Sequence, residues 1–373
     1  MTTLTLPSPA KVLRERSEEA GNPSHLAFLK QRASGFFSDS DAIDVKQTEK
    51  VANFLPRIFG NDREYYRRLF HHWWDLNPSW DRKSPKGWAV YEHGQVVAFT
   101  ANIPLPYIHE GRSALCYATG CTAVDERFRG LGLSKLVGAQ FVNQQDADLL
   151  LAIRSTPVAY HLWQSLGMKV LSPWHSSRRI VGDPSILLAK LGLRSLAGVG
   201  TLAANGLTAI HRTKVACEQI STFEASDDPA LEKCRASNET TFARRDVRTL
   251  NWLFAATELM RETRIVLAAR SSRQLLGYAA LKPSGCGLEL LECRCRDSDP
   301  EIARALLVKA SELARERRYG FVRVRLCSDM MSEAMPRGLA FPDRTAPPTY
   351  CALSPAGWSK WEATAGDGDF AIN

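Results

Sequence analysis

The sequence predicts a mixed α/β (α+β) chain built as two similar lobes, and three observations predict it. Apolar strand patterns and helix patterns succeed one another through residues 43–182. A glycine-rich turn joins a strand to a helix within 121–136. The order then recurs at an offset of about 170 residues, too long for a solenoid and suited to a duplicated domain. At 373 residues and 45% hydrophobic content, the chain can bury two cores. The expected division is a tail at 1–42, a first lobe at 43–182, an apolar connection at 183–215 and a second lobe at 216–373.

Residues 1–40 are polar and interrupted by proline, glycine and serine, so a poorly ordered tail is expected there. Gly87 to Phe99 reads as two strands around a His93-Gly94 turn. Tyr117 to Val124 is the next strand, with Gly120 marking a bulge. Gly130 and Gly132 then allow a tight turn, and a helix starts near Leu133 and runs to about Gln144. Asp148 to Ile153 is apolar enough for a strand covered on both faces. Ser155 or Thr156 caps a helix with Pro157 in its first turn, and Gly167 ends it in a left-handed conformation.

The turn carries the chemistry. With no Cβ at Gly130 and Gly132, successive N–H groups can face one concavity, and the helix adds its unpaired N–H groups and positive dipole end. That is a cradle for a pyrophosphate. A Rossmann site needs a third glycine where Lys135 stands, and a P-loop needs a Gly-Lys-Ser/Thr that is missing. Arg129-Gly130-Leu131-Gly132-Leu133-Ser134 instead resembles motif A of the GNAT N-acetyltransferase superfamily, Arg/Gln-x-x-Gly-x-Gly/Ala, with Ser134 as its one departure. Thr156 to Met168 is similar to motif B of that family: Ala159, Gly167 and Met168 fit, Thr156 replaces an Asn and Trp163 replaces the usual Tyr. The resemblance covers 43–182 and implies that each lobe is a mixed central sheet flanked by helices. It further implies that Thr122, Ala123 and Val124, with Arg129, Gly130, Leu131, Gly132, Leu133 and Ser134, hold acetyl-coenzyme A or another acyl-coenzyme A.

The second half repeats the order without the cradle. Arg244-Arg245-Asp246 to Phe254 echoes Asp62 to Trp74; Ile265–Ala269 and Gln274–Ala279 repeat the hairpin; Ala303–Arg317 repeats the helix. The segment in the cradle's place, Cys293 to Pro300, has no glycine and carries Asp297 and Asp299 where phosphates would lie. The second lobe is therefore read as degenerate.

Nine cysteines form no Cys-x-x-Cys pair, and Cys293-x-Cys295 has no partner cluster, so no metal is assigned. Odd cysteine number and the absence of a secretory leader pattern place the expected setting in the cytoplasm. The net charge is +8, and Arg315, Arg317, Arg318, Arg323, Arg325 and Arg337 are read as a solvated helix face and strand edges in preference to a nucleic-acid site. Residues 186–210 read as an amphipathic connecting helix packed on a domain. The second reading is a membrane-surface contact, apolar face down with Lys190 and Arg194 at the headgroups. Oligomeric state is left at monomer or dimer.

The family generally acts by direct attack of an amine on the thioester in a ternary complex, and its motif B Tyr protonates the leaving thiolate. Trp163 is not an acid at useful pH, so Tyr160, three residues earlier, is the candidate catalytic residue. Asp125 and Glu126 are read as surface charges beside the cradle, and Cys121 as a core residue in preference to an acyl-carrying nucleophile. The expected reaction is acyl transfer to a primary amine. Trp73-Trp74 with Asn77-Pro78, and Leu250 to Phe254, resemble GNAT-like proteins of bacterial polysaccharide and envelope biosynthesis, which makes an amino sugar or envelope precursor the acceptor to consider. Two alternatives stand beside it: a FemAB-like transferase using aminoacyl-tRNA, and a non-catalytic coenzyme A-binding module.

Overall fold

The computed structural model describes residues 39–42, 48–144, 146–171, 176–211, 213–234, 241–326, 328–345, 349–354 and 361–362. The tail expected at 1–42 otherwise lies outside them, and Asp39–Ala42 forms an edge strand, β1. Helices α1 (Thr48–Phe54), α2 (Pro56–Phe59) and α3 (Arg63–Phe70) follow, then a π-helical turn at His71–Asp75. Two hairpins come next, β2 (Gly87–Glu92) with β3 (Gln95–Ala101) and β4 (Ile103–His109) with β5 (Arg112–Thr119). After them run β6 (Ala123–Val124), α4 (Leu133–Val142), β7 (Leu149–Ser155), α5 (Pro157–Ser165), β8 (Lys169–Leu171) and β9 (Ser176–Val181). Helices α6 (Pro184–Lys190) and α7 (Ala197–Ile210) make the connection.

The second half contains β10 (Ala216–Ile220), α8 (Asp228–Lys233), β11 (Thr241–Ala243), α9 (Val247–Phe254), α10 (Glu258–Thr263), β12 (Ile265–Ser271), β13 (Gln274–Ser284) and β14 (Gly287–Cys295). It goes on through α11 (Pro300–Glu316), β15 (Phe321–Leu326), α12 (Asp329–Ala334), β16 (Ala340–Pro342), β17 (Thr349–Leu353) and β18 (Trp361–Glu362). The same local chemistry starts a helix in each half. Asp62 caps α3 by accepting from the Tyr65 N–H, and Asp246 caps α9 in the same way through Thr249. His93 and Gly94 both have positive φ, as a two-residue hairpin turn requires.

Sheet membership does not follow chain order. β17 lies between β7 and β8 in the sheet β18-β11-β4-β5-β7-β17-β8. In return β9 lies between β15 and β16 in the sheet β10-β12-β13-β14-β15-β9-β16. The two halves thus lend each other strands. The packing agrees: one apolar core joins Trp73, Phe99 and Leu151 to Trp252, Phe254, Tyr278 and Ala352. A second core lies under α4 and α5, around Phe141 and Trp163, and a third under α11, around Leu306 and Val324. The tryptophan-asparagine elements serve this scaffold. Asn77 Nδ2 donates to the carbonyls of Trp73 and Pro104, and Asn251 both donates to and accepts from the Phe223 backbone.

His72 sits at the junction. It is fully buried, its ring stacks on Trp252 at 5.3 Å, and its carbonyl accepts the Trp252 Nε1–H at 2.8 Å. Neither ring nitrogen has a hydrogen-bond partner among the described residues. Burial, helped by the charges of Arg264 and His71, pulls its pKa from the ordinary 6.5 down to about 3. The unfolded chain therefore binds a proton through the window from about 6.5 to 3 that the folded chain refuses, and stability falls as pH falls. By pH 5 this one group costs about 2 kcal/mol. His72→Phe, which keeps a ring against Trp252, is expected to flatten the melting temperature between pH 7 and pH 5. An equal acid slope in both proteins would refute that assignment.

Several arginines expected at the surface are internal ties. Arg325 is buried on Glu289 and Arg323 pairs with Asp343 at 2.6 Å, whereas Arg318 stays exposed as expected while reaching the buried Asp183 at 3.2 Å. Arg315 binds Asn205 and Thr208 of α7. The connection is also not one helix: Gly192, at φ +76°, and a 3-10 turn at Arg194–Leu196 bend it into a hairpin. Gly200 lets α7 approach Leu188 and Pro184 closely, since a Cβ there would stand 2.9 Å from Leu188 Cδ1.

Candidate functional site

The site begins where two strands part. β5 and β7 pair in parallel from Cys116↔Leu149 to Thr119↔Ala152 and no further. Beyond that point the chain turns at Gly120 and Cys121, the latter at φ +50°, and β6 moves over to pair with Ala98 and Phe99 of β3. β7 continues along β17 to Ser155↔Thr349. A wedge opens between β6 and the start of α5. Asp125 N–H donates to the Val97 carbonyl at 2.9 Å, so strand alternation turns the Val124 N–H towards the open side. At the apex Thr100 Oγ1 lies 2.6 Å from Thr119 Oγ1 and 2.7 Å from Thr122 Oγ1.

The glycine turn closes the other end of the wedge. Gly130 and Gly132 have φ of +82° and +83°, with nothing within 4 Å of where a Cβ would stand, so conformation and not space demands glycine. Gly132 is the N-cap of α4 and offers no side-chain acceptor. The first-turn N–H groups at 133–135 therefore face the wedge without an intrahelical partner. Behind them Gly138 lets α5 close in, because a Cβ there would stand 2.6 Å from Leu166 and 3.3 Å from Trp163. Trp163 itself is 1% exposed and meets Phe141 edge-on at 5.7 Å, so it is a core side chain.

Between these walls lies a cavity of about 760 Å³. Thr122, Ala123, Val124, Arg129, Gly130, Gly132, Leu133 and Ser134 line it, as do Ile58, Phe128, Lys135, Thr156 and His161. No carboxylate is among its lining residues, and Arg129 and Lys135 supply positive charge. Leu131 is 41% exposed and stands outside the lining. Tyr160 is half-buried against the core beneath α5, 5.1 Å ring to ring from His161, and it too stands outside the lining. Thr156 is the helix cap, accepting from Ala159 N–H at 3.3 Å. Its place on the cavity wall follows from that cap, and the position of His161 from its offset of one residue from Tyr160.

One neighbour of the cradle differs from its expected role. Asp125 is buried, not a surface charge: it accepts from Arg127 N–H and guanidinium, which hold its carboxyl below the ordinary range. Glu126 remains exposed and pairs with Arg129 at 3.0 Å. Burial pushes the Cys121 thiol up to about 12, so it is no thiolate at neutral pH and a poor nucleophile.

The corresponding place in the second half is built differently. β14 and β15 pair only from Gly287↔Phe321 to Glu289↔Arg323. Past that point stand buried charges, Arg325 on Glu289 and both Arg245 and Arg294 on Glu292. Asp297 and Ser298 make the turn at φ +54° without glycine, and Asp299 caps α11 by accepting from Glu301 N–H at 2.8 Å. A carboxylate thus occupies the helix N-terminus that a phosphate would need. Among the described residues no group of three or more His, Cys, Asp or Glu side chains is arranged to hold a metal.

A splayed parallel pair with a glycine turn feeding a helix, flanked by helices on a mixed sheet, defines the GNAT-like fold, and this chain has it. Solved structures agree. A GCN5-related N-acetyltransferase from Kribbella flavida superposes with a TM-score of 0.55 at 17% identity, over 84% of this chain and 71% of its own. A GCN5-related N-acetyltransferase from Anabaena variabilis gives a TM-score of 0.55 at 12% identity, over 85% and 72%. A probable N-acyltransferase from Enterococcus faecalis gives 0.55 at 10% identity, over 85% and 73%. No protein-family model and no curated protein sequence matches the chain.

Proposed function

We propose that the protein is an acyl-coenzyme A-dependent N-acyltransferase that moves an acetyl or other acyl group to a primary amine. The observation that carries this reading is the wedge itself: a cavity lined by no carboxylate, with a two-glycine helix N-terminus at one end and the Val124 N–H turned to the open side at the other. The pyrophosphate would lie on the N–H groups of 130–135, with Arg129 and Lys135 nearby. The pantetheine would run along Thr122, Ala123 and Val124, and a strand N–H such as that of Val124 would polarise the thioester carbonyl. An amine, deprotonated before attack, adds to that carbonyl; the C–S bond breaks and the thiolate takes up a proton. Two side chains of α5 are donors to consider, Tyr160 and the cavity-lining His161. The second half, with its cradle position filled by its own carboxylates, would serve as scaffold and acceptor wall. An amino sugar or other envelope precursor is the acceptor class we would assay first.

The test is a melting-temperature shift, because a ligand that binds only the folded state stabilises it. Acetyl-coenzyme A and free coenzyme A are expected to raise the melting temperature, and tRNA is not. Thiol release on an amine panel then measures turnover. Response to tRNA alone would point to an aminoacyl-tRNA transferase, and binding without turnover to a non-catalytic module. In the same assay, losing the proton donor is expected to lower kcat by about a hundredfold or more with little change in coenzyme A affinity. Tyr160→Phe with unchanged turnover removes Tyr160 from the mechanism, and His161→Asn decides the same for His161.

A further inference from the structure

We propose that the α6–α7 hairpin is a docking surface for an anionic lipid bilayer, on which the protein rests without spanning it. Helix α7 contains no charged residue. Its polar side chains are all spent inward or on the helix: Thr201 on the Ala197 carbonyl, Asn205 and Thr208 on Arg315. That leaves an outward face of apolar side chains in water. Leu191 is 72% exposed, Val199 68%, Leu202 74% and Ile210 76%, with Leu193 and Leu196 beside them. A helix apolar around its circumference is normally buried, and six large apolar groups exposed together mark an interaction surface.

Charge selects the partner. From Pro184 to Cys217 the sequence has no Asp or Glu, while Lys190, Arg194 and Lys214 stand exposed around the apolar face. The nearest acids along the chain are already committed, Asp183 to capping α6 and to Arg318, and Glu218 to Arg270. Apolar side chains at the acyl boundary with cations at the phosphate level are what an interfacial helix needs. No described helix is long and apolar enough to cross a membrane, which leaves the contact lying on the surface. Arg315 and the contact of His211 with the Arg337 carbonyl at 2.6 Å fix the hairpin to the second half, so docking would orient the whole molecule. This inference stands independently of the proposed reaction.

Flotation of the full chain tests it, with vesicles of equal parts phosphatidylglycerol and phosphatidylcholine against vesicles of phosphatidylcholine alone. The wild type is expected to float with the anionic vesicles, enriched on the order of tenfold over the neutral ones. The double variant Leu202→Asp, Ile210→Asp is expected to stay in the dense fraction at an unchanged melting temperature. The variant Arg194→Glu, Lys214→Glu is expected to lose the preference for anionic lipid. A wild type that stays in the dense fraction overturns the proposal. So does a wild type that instead sediments as a dimer dispersed by Leu202→Asp, Ile210→Asp, which would make this face an interface between copies. Equal capture by both vesicle types overturns the charge selection.

Discussion

Gly132→Glu is expected to abolish coenzyme A binding while the chain keeps a single sharp melting transition. The backbone at Gly132 is at φ +83° and ψ 6°, a left-handed conformation that costs a non-glycine residue about 1–2 kcal/mol. No atom lies within 4 Å of the added Cβ, so the fold absorbs that cost without a clash. The new carboxylate, however, stands at the helix N-cap among the N–H groups proposed for the pyrophosphate. It would satisfy those donors itself and repel the ligand's charge. Losing two such charge-assisted hydrogen bonds alone weakens binding by about a hundredfold or more. In the second half a carboxylate already takes the N-cap place, Asp299 accepting from the Glu301 N–H at the start of α11. Gly132→Ala separates the two effects: it carries the backbone cost without the charge and is expected to retain measurable affinity. Calorimetric titration with coenzyme A checks both, and undiminished affinity in Gly132→Glu would overturn the placement of the cradle.

What the sequence made legible was what local chemistry decides. Gly130 and Gly132, the His93-Gly94 turn and the Thr156 cap each announce a backbone conformation within a few residues. The structure has these features where they were expected. Helix starts were readable for the same reason, because Asp62 and Asp246 each cap the helix that follows. Long-range choices were not readable. Nothing in Ser176–Val181 says that its partners are 321–326 and 340–342 and not the sheet it follows. Asp125 looked like a surface charge because its burial and its pairing with Arg57 of α2 are set by the fold and not by its neighbours in sequence. His161 and Tyr160 differ by one position, and only the packing of α5 decides which of them faces the cavity.

The exchange of strands leads to the other large effect: residues 1–182 alone are not expected to fold. Such a fragment keeps the wedge, the two glycines and both helices of the cradle, yet it loses β17 from between β7 and β8. Cys351 and Ala352 of β17 are 0% and 1% exposed, and they pair with Ala152 and Leu151 on one side and Val170 and Lys169 on the other. Without β17, β7 has no partner on that edge and β8 has none at all, while β9 is left without the strands it joins in the full chain. The shared core would open as well, since Trp73, Phe99 and Leu151 pack with Trp252, Phe254 and Tyr278. Exposing just the three of these that the fragment keeps, Trp73, Phe99 and Leu151, forgoes about 1.5–3 kcal/mol each, against a typical domain stability of about 5–15 kcal/mol. The fragment is therefore expected to be insoluble or to lack a cooperative melt, and the full chain to unfold in one calorimetric transition. A soluble 1–182 fragment with a sharp transition and full coenzyme A affinity would show the cradle lobe to be independent. The physical reason to expect otherwise is that β7, which forms one wall of the wedge, is held in place on its far side by a strand from the other end of the chain.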